Sequence, residues 1–300
     1  MTVRPELFLL LSNARSGSTY VATTLSSVGA RCNFEYSLKS YSPVPVNGNL
    51  HLLSGITDIY ISIYVLTTTE LEPGVILPFG AKLTLPIYDY LPETSVRLIE
   101  YACHSVSLKR IHLVRDYWDL LKSNLSRGVA HDYDSKAPGI DLARTAKEAA
   151  TLRERIKDDY LDHGREKPMA QVDLPIEIIK GYLVNLLRND YVFRKVTESG
   201  QGVTIAYSDI KNEIPRVLDF LGANYDRQRL RDVLEVPMVR KLPDIPDSKI
   251  AHPDVIKPIA TKCYEIMRDG VFNNESAELI FSRQMAVVGE YSPQIVPDPT

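Results

Sequence analysis

The chain has 300 residues, with 35 lysines and arginines against 38 aspartates and glutamates and a formal net charge of −3. Its charges are mixed along the chain without a basic block, which argues against a general nucleic-acid-binding protein. No segment approaches the roughly 20 apolar residues of a membrane-spanning helix. The apolar run at 7–11 is also too short for a signal peptide, so we expect a cytoplasmic protein.

The first predicted elements surround a loop of small polar residues. Residues 7–11 form a continuous apolar run, which is typical of a central parallel strand covered on both faces. A loop over residues 12–18 follows this strand. The next residues predict a helix with one apolar face that ends at Gly29.

The middle of the chain is predicted to alternate strands with helices. We expect strands at 59–66, 80–85 and 111–114 and helices at 92–106 and 117–126.

Residues 127–175 are polar and have few large apolar side chains. They contain one strongly charged predicted helix, at about 142–163. We interpret the segment as a helical insertion or lid rather than core.

The last part of the chain continues the alternation. The pattern predicts a helix from Pro175, a strand at 203–207, a helix at 214–221, a loop at 237–253 and a helix at 254–268. Strands that alternate with helices predict an α/β fold with a mostly parallel central sheet flanked by helices. We expect a single domain over residues 1–300.

The cysteines and histidines give no sign of a metal centre. Cys32, Cys103 and Cys263 are widely spaced and form no CxxC pair, so we interpret them as reduced thiols, with one disulfide as the open alternative. No His/Cys cluster has zinc-ligand spacing, so no metal is predicted. His112 lies in the middle of a predicted strand and is expected to be a core residue.

The loop after the first strand reads Arg15-Ser16-Gly17-Ser18-Thr19. A helix N-terminus offers free N–H groups and about half a positive charge, and small residues let this backbone approach an anion closely. It is not a Walker A loop, because Gly17 is followed by serine rather than by lysine. The loop therefore predicts a phosphate or sulfate site, and an ordinary capped turn with a surface arginine is the alternative.

A second motif places an arginine at a strand end. Arg115 follows the predicted strand at 111–114, and Ser123 lies eight residues later on the predicted helix. Both could converge on one anion at the carboxyl edge of the sheet, where open α/β sheets bind ligands. The alternative is an ion pair of Arg115 with Asp116 or Asp119.

Together the two motifs resemble the sulfotransferase family that uses 3′-phosphoadenosine-5′-phosphosulfate (PAPS). That family has a basic residue followed by small residues and glycine in its 5′-phosphosulfate loop, and a strand-end arginine with a serine eight residues on. Residues 79–83, with Lys82, resemble the family's lysine-bearing strand, and residues 206–210 and 220–222 resemble its Y-E-D-L and F-L-G segments. The resemblance implies a P-loop-like three-layer fold.

The resemblance also implies a binding site for the co-substrate PAPS. The 5′-phosphosulfate would be bound by Arg15, Ser16, Gly17, Ser18 and Thr19. The 3′-phosphate would be bound by Arg115 and Ser123, with Tyr207 near the adenine.

The implied reaction moves a sulfuryl group in line to an acceptor hydroxyl. Arg15 and Lys82 would stabilise the charge that grows on the bridging oxygen. The histidine that hormone-type enzymes use as a base is replaced by Thr84. The bacterial carbohydrate branch, including trehalose sulfotransferases, is more similar, since it has a glutamate shortly after the first helix, where Glu35 stands here. We therefore expect Glu35 to be the base, with a histidine or a mere surface carboxylate as alternatives.

Two other functions stay open. A P-loop nucleotide kinase would need a metal-holding aspartate, for which Asp116 is the nearest candidate. A non-catalytic nucleotide-binding protein is the second alternative. The acceptor is expected to be a glycan or a small metabolite, and the sequence leaves the oligomeric state open.

Overall fold

The computed structural model describes residues 6–33, 77–85, 107–125, 174–235 and 246–290, together with Arg97, Glu100, Tyr101, Cys103 and His104. The predicted strand at 59–66, the charged helix at 142–163 and nearly all of the 127–175 insertion lie outside these residues. Glu35 lies outside them too.

A central sheet of five parallel strands organises the described part of the chain. The strands are β1 (Leu7–Asn13), β2 (Arg31–Asn33), β3 (Phe79–Leu85), β4 (Lys109–Val114) and β5 (Gly202–Ala206). Their spatial order is β2-β3-β1-β4-β5, and every pairing is parallel. This confirms the predicted α/β fold with a central parallel sheet.

The bounds of seven α-helices are described. They are α1 (Ser18–Val28), α2 (Tyr117–Leu125), α3 (Ile176–Glu198), α4 (Ile210–Leu221), α5 (Arg227–Glu235), α6 (Pro253–Phe272) and α7 (Ala277–Glu290). None of the described helices is long and apolar enough to cross a membrane.

Helices cover both faces of the sheet, as the apolar run in β1 requires. Phe8 and Leu10 pack on one face with side chains of α1, α4 and α5. Leu9 and Leu11 pack on the other face with side chains of α3. Behind α3, a further core joins it to α2, α6 and α7. The sheet is therefore the middle layer of three, which is the predicted architecture.

The strand order changes direction at β1. The chain goes from β1 outwards to β2 and β3 on one side, and later returns to β4 and β5 on the other. In open parallel sheets such a reversal leaves a crevice at the carboxyl ends of the strands, and ligands bind there. The loop after β1 and the residues after β4 therefore lie at one edge of the sheet.

Several bounds differ from the prediction. β5 ends at Ala206, and a short 3₁₀ turn (Tyr207–Asp209) runs directly into α4, which begins four residues earlier than the predicted 214. α4 ends at Leu221, as predicted, and Gly222 follows it with a φ of 69°. α6 extends to Phe272, past the predicted end at 268.

β2, α5 and α7 were not predicted. β2 has only three residues, which is too short for a periodic pattern. α5 has a single buried side chain, Leu230, so little apolar periodicity marks it. Sequence periodicity reveals the buried face of an element, so elements that are short or largely exposed are hard to predict from it.

Candidate active site at the carboxyl edge of the sheet

The loop between β1 and α1 is a tight turn with two left-handed residues. Arg15 has a φ of 72° and Gly17 a φ of 90°. Gly17 is the N-cap residue of α1, yet no side chain caps this terminus and the first turn carries no acidic residue. The positive end of the helix is therefore available to an anion.

The polar groups of the loop backbone are tied to neighbouring elements. The Ala14 N–H donates to the Leu85 carbonyl at the end of β3 (2.6 Å). The Asn124 side chain donates to the Ala14 carbonyl (3.2 Å), and Arg115 donates to the Arg15 carbonyl (3.0 Å). Side-chain donors occupy these two carbonyl oxygens and offset their partial negative charge. The loop therefore repels an anion less than it would with free carbonyl oxygens.

Arg15, Arg115 and Ser123 come together beside the loop. The Arg15 Nε donates to the Ser123 Oγ at 3.4 Å, so the two motifs that lie 108 residues apart in sequence meet in space. The expected convergence of Arg115 and Ser123 thus also includes Arg15. The alternative ion pair exists as well, since an Arg115 Nη lies 3.7 Å from the half-exposed Asp119 carboxylate.

Tyr207 closes the cluster from the side of β5. The Arg115 guanidinium lies over the Tyr207 ring, 5.0 Å from its centroid. The same ring packs against Gly17 so closely that a Cβ there would overlap with it. Tyr207 therefore contacts both the loop, through Gly17, and Arg115.

Lys82 reaches the loop from the opposite side. Its side chain is only 7% exposed, and its Nζ donates to the Thr19 hydroxyl at 3.1 Å. Since Thr19 belongs to the first turn of α1, the ammonium lies at the positive end of this helix. Thr84 follows two residues later on β3.

Two buried donors at this site lack a protein partner. The Ser16 Oγ and the Arg115 Nε are shielded from solvent, and neither has a hydrogen-bond partner among the described residues. A buried unsatisfied polar group costs about 1–3 kcal/mol and calls for an explanation. Anionic groups bound in the loop and beside Arg115 would supply the missing acceptors.

The thiols do not contribute a nucleophile. All three cysteines are buried and are present as thiols rather than in a disulfide, which confirms their interpretation as reduced thiols. Burial raises the pKa of Cys32 to about 12, against a smaller opposing effect of Lys82. Burial likewise raises the pKa of Cys263 to about 12 and raises that of Cys103. These groups stay protonated near neutral pH, and a thiol enzyme is not supported.

Asp116 has a structural partner. Its Oδ1 accepts the Asp119 N–H at the start of α2 (3.0 Å), as an N-cap residue does. Burial raises the pKa of this carboxyl, against the smaller lowering effect of the Asp119 N–H. Among the described residues, no group of three His, Cys, Asp or Glu side chains gathers around a common point.

Sequence patterns missed a buried polar group beneath the loop. Asn13, His112, Asn189 and Asp190 are all buried, and they hydrogen-bond one another between β1, β4 and α3. Asn124, which holds the Ala14 carbonyl, was missed too. These residues could have been found by their polarity at positions where the strand or helix periodicity predicts core residues. Asn13 ends an apolar strand, and Asn189 and Asp190 interrupt an apolar helix.

Comparison with known proteins finds a weak structural likeness. No protein-family model matches the sequence, and no curated protein matches it. Among solved structures, the chain is similar to mouse sulfotransferase SULT7A1 complexed with PAP, at 12% identity and a TM-score of 0.35; the match covers 78% of this chain and 65% of the mouse chain. A likeness at this level decides neither fold nor chemistry, so both depend on the strands and side chains described above.

Proposed function

We propose that this protein is a PAPS-dependent sulfotransferase. The observation that carries the proposal is the meeting of Arg15 with Ser123 and Arg115 at an uncapped helix N-terminus. Two groups of cationic and hydroxyl side chains lie side by side there. A nucleotide with phosphates on both its 3′ and 5′ positions has the matching pair of anions.

The residues divide between these two anions. We propose that the loop residues 15–19 bind the 5′-phosphosulfate, through backbone N–H groups and the hydroxyl of Ser16. Arg115 and Ser123 bind the 3′-phosphate, and the Arg115 Nε, which has no partner among the described residues, gains one. Tyr207 contacts the adenine with the part of its ring that Gly17 and Arg115 leave uncovered.

The proposed reaction requires the protein to stabilise a developing negative charge and to provide one proton acceptor. PAPS supplies the sulfuryl group: the acceptor oxygen bonds to sulfur as the sulfur–oxygen bond to the 5′-phosphate breaks, and adenosine 3′,5′-bisphosphate leaves. Arg15 and Lys82 lie on opposite sides of the helix terminus and stabilise the charge left on that phosphate oxygen. The proton of the acceptor hydroxyl goes to a base, for which Glu35 is the proposed residue.

The acceptor side of the site depends on residues outside the described ranges. We propose a glycan or a small metabolite as the acceptor, as in the carbohydrate branch that the sequence resembles, and a cytoplasmic location. Residues 127–175 are proposed to shape the acceptor pocket. Turnover of Glu35→Gln tests the base: loss of about 10²- to 10⁴-fold is expected for a general base, and near-normal turnover of a folded variant would reject it.

Nucleotide binding tests the whole proposal. Thermal unfolding is measured with adenosine 3′,5′-bisphosphate, with ATP and magnesium, and with GTP. A ligand at 100 times its Kd stabilises by about 2.7 kcal/mol, which raises the melting temperature by several degrees. We expect this rise with the bisphosphate and its loss in Arg115→Ala.

A matched control comes from Lys109 at the other end of β4, where its Nζ contacts the Phe220 carbonyl. Lys109→Met should keep the full rise with the bisphosphate. The absence of any rise in folded wild-type protein would overturn the sulfotransferase proposal. A rise with ATP and magnesium alone would favour a kinase. Bisphosphate binding with no transfer to any acceptor would favour a non-catalytic binding protein.

A further inference from the structure

A carboxylate that the proposed chemistry does not use lies beneath the loop. Asp190, in the middle of α3, is 0% exposed. Its Oδ1 accepts a hydrogen bond from the Asn13 side chain (2.8 Å) and lies 3.0 Å from the His112 Nε2. Burying a carboxylate costs free energy unless it is paired. The hydrogen bonds of Asp190 therefore need a role that an apolar side chain could not fill.

Most of the hydrogen bonds in this buried group involve Asn13, the last residue of β1. Besides its bond to Asp190, its Nδ2 donates to the Leu186 carbonyl (3.2 Å), and its Oδ1 accepts from the Asn189 side chain (2.9 Å). Three hydrogen bonds between Asn13 and residues of α3 therefore fix one amide side chain. An amide held by both its nitrogen and its oxygen has a single orientation.

The backbone of Asn13 links the orientation of its side chain to the conformation of the loop. Its carbonyl accepts the Ser16 N–H (3.3 Å), which closes the turn that leads to Gly17 and α1. Ala14 follows Asn13 directly and is tied to β3 through its N–H. A rotation at Asn13 would tilt its carbonyl and release Ser16, whose hydroxyl is one of the two buried donors at the site that have no partner among the described residues.

We propose that Asp190 is a positioning residue for the anion-binding loop. It acts through Asn13, which it fixes at the point where the chain leaves β1, and it does not touch the ligand. Removing one partner from a buried polar group is destabilising, because the other partners are left unsatisfied. The predicted consequence of removing this carboxylate is therefore a misdirected loop in addition to a lower free energy of unfolding. The identity of the nucleotide rests on the proposed function, but the role in the loop does not.

The test compares Asp190→Leu with Asp190→Asn. Leucine has a similar size but accepts no hydrogen bond, whereas asparagine keeps an oxygen for the Asn13 amide. We expect Asp190→Leu to weaken binding of adenosine 3′,5′-bisphosphate about 10-fold, the effect of losing one orienting hydrogen bond. Asp190→Asn should restore most of the affinity. Asn189→Ala, which removes a different bond to Asn13, should weaken binding in the same direction and serves if the leucine variant does not fold.

A matched control separates positioning from stability. Arg110 is buried on the same strand as His112, two residues earlier, and donates to the Val196 carbonyl of the same helix α3. Arg110→Met should lower the free energy of unfolding but leave the affinity of the folded protein unchanged. If Asp190→Leu also changes stability alone, Asp190 has only a structural role and the proposal is overturned.

Two further measurements distinguish this proposal from the function itself. Amide exchange of the Ser16 N–H, without any ligand, should accelerate in Asp190→Leu and not in Arg110→Met; unchanged exchange would contradict the proposal. Inorganic sulfate serves as a second ligand. If sulfate binds and the bisphosphate does not, and Asp190→Leu weakens sulfate binding, the proposed nucleotide is wrong and the positioning role stands. If wild-type protein binds neither anion, both proposals fail.

Discussion

The ring of Tyr207 packs directly on Gly17, the N-cap residue of α1. A Cβ added at Gly17 would overlap with the Tyr207 Cε2 and lie only 2.6 Å from its Cδ2 and 2.9 Å from its Cζ. Gly17 also has a φ of 90°, in the left-handed region that side chains disfavour. Two independent constraints therefore require glycine here, one from the backbone and one from the ring.

Gly17→Ala should weaken nucleotide binding strongly and lower the free energy of unfolding. The left-handed backbone alone costs about 1–2 kcal/mol, and the overlap with Tyr207 adds to it. In Gly17→Ala/Tyr207→Ala the overlap is relieved and the backbone cost remains, so the double variant should recover part of the stability. Urea unfolding and bisphosphate titration measure both effects.

Gly181 provides the control for this substitution. It lies in the exposed part of α3, and a Cβ there would meet nothing within 4 Å. Gly181→Ala should therefore stabilise the protein by about 0.5–1 kcal/mol and leave binding unchanged. If Gly17→Ala behaved in the same way, the described packing of Tyr207 on the loop would be wrong.

Arg115→Lys should behave almost like Arg115→Ala in bisphosphate binding. Arg115 donates to the Arg15 carbonyl while its planar guanidinium lies over the Tyr207 ring. Lysine keeps the charge but lacks the fork of donors and the flat surface that make both contacts at once. We expect both variants to lose at least about 10-fold in affinity, measured by isothermal titration. Wild-type affinity in Arg115→Lys would show that only net charge matters at this position.

Lys82→Met should distinguish the phosphosulfate from the bisphosphate. Methionine fills the space of the buried lysine stem, while the ammonium beside Thr19 is lost. Under the proposed function this ammonium stabilises the charge on the oxygen that joins sulfur to the 5′-phosphate, and this charge is fully developed only in the bisphosphate product. The affinity for adenosine 3′,5′-bisphosphate should therefore fall more than the affinity for PAPS. Equal losses would contradict a role of Lys82 at that oxygen, and Lys109→Met should change neither affinity.

The sequence predicted those parts of the site that local patterns encode. An apolar run followed by small residues located β1 and the loop, because burial on both faces and close backbone approach each restrict residue type. The contact of Arg15 with Ser123 was beyond reach, since it depends on the strand order that brings β4 beside β1. The bonds of Asn13 to Asp190 were missed for a similar reason: they link residues 177 positions apart, and polarity inside an apolar pattern does not say which partner satisfies it.

Asp247 should give a pH-dependent contribution to stability. It lies in the turn before α6, where it accepts from the Trp118 indole (2.7 Å) and pairs with Lys257 (2.6 Å) and Lys122 (3.4 Å). The bond from Lys257, with a smaller contribution from Trp118, lowers the pKa of this carboxyl from 3.8 to about 2. A carboxyl with a lowered pKa stabilises the fold when it is ionised, and this stabilisation is lost as the pH falls through the folded-state value.

The free energy of unfolding of wild type should therefore exceed that of Asp247→Asn by a constant amount above about pH 5, and the difference should narrow as the pH falls from about 4 toward 2. Asparagine still accepts the Trp118 bond, so the comparison isolates the ionic part. That part is modest, since Asp247 is about a third exposed and exposed ion pairs contribute less than about 1 kcal/mol each. Added salt should shrink it at neutral pH. Urea unfolding of both proteins across this range measures the difference, and a gap that stays constant down to about pH 3 would mean that Asp247 does not hold this turn against α2 by charge.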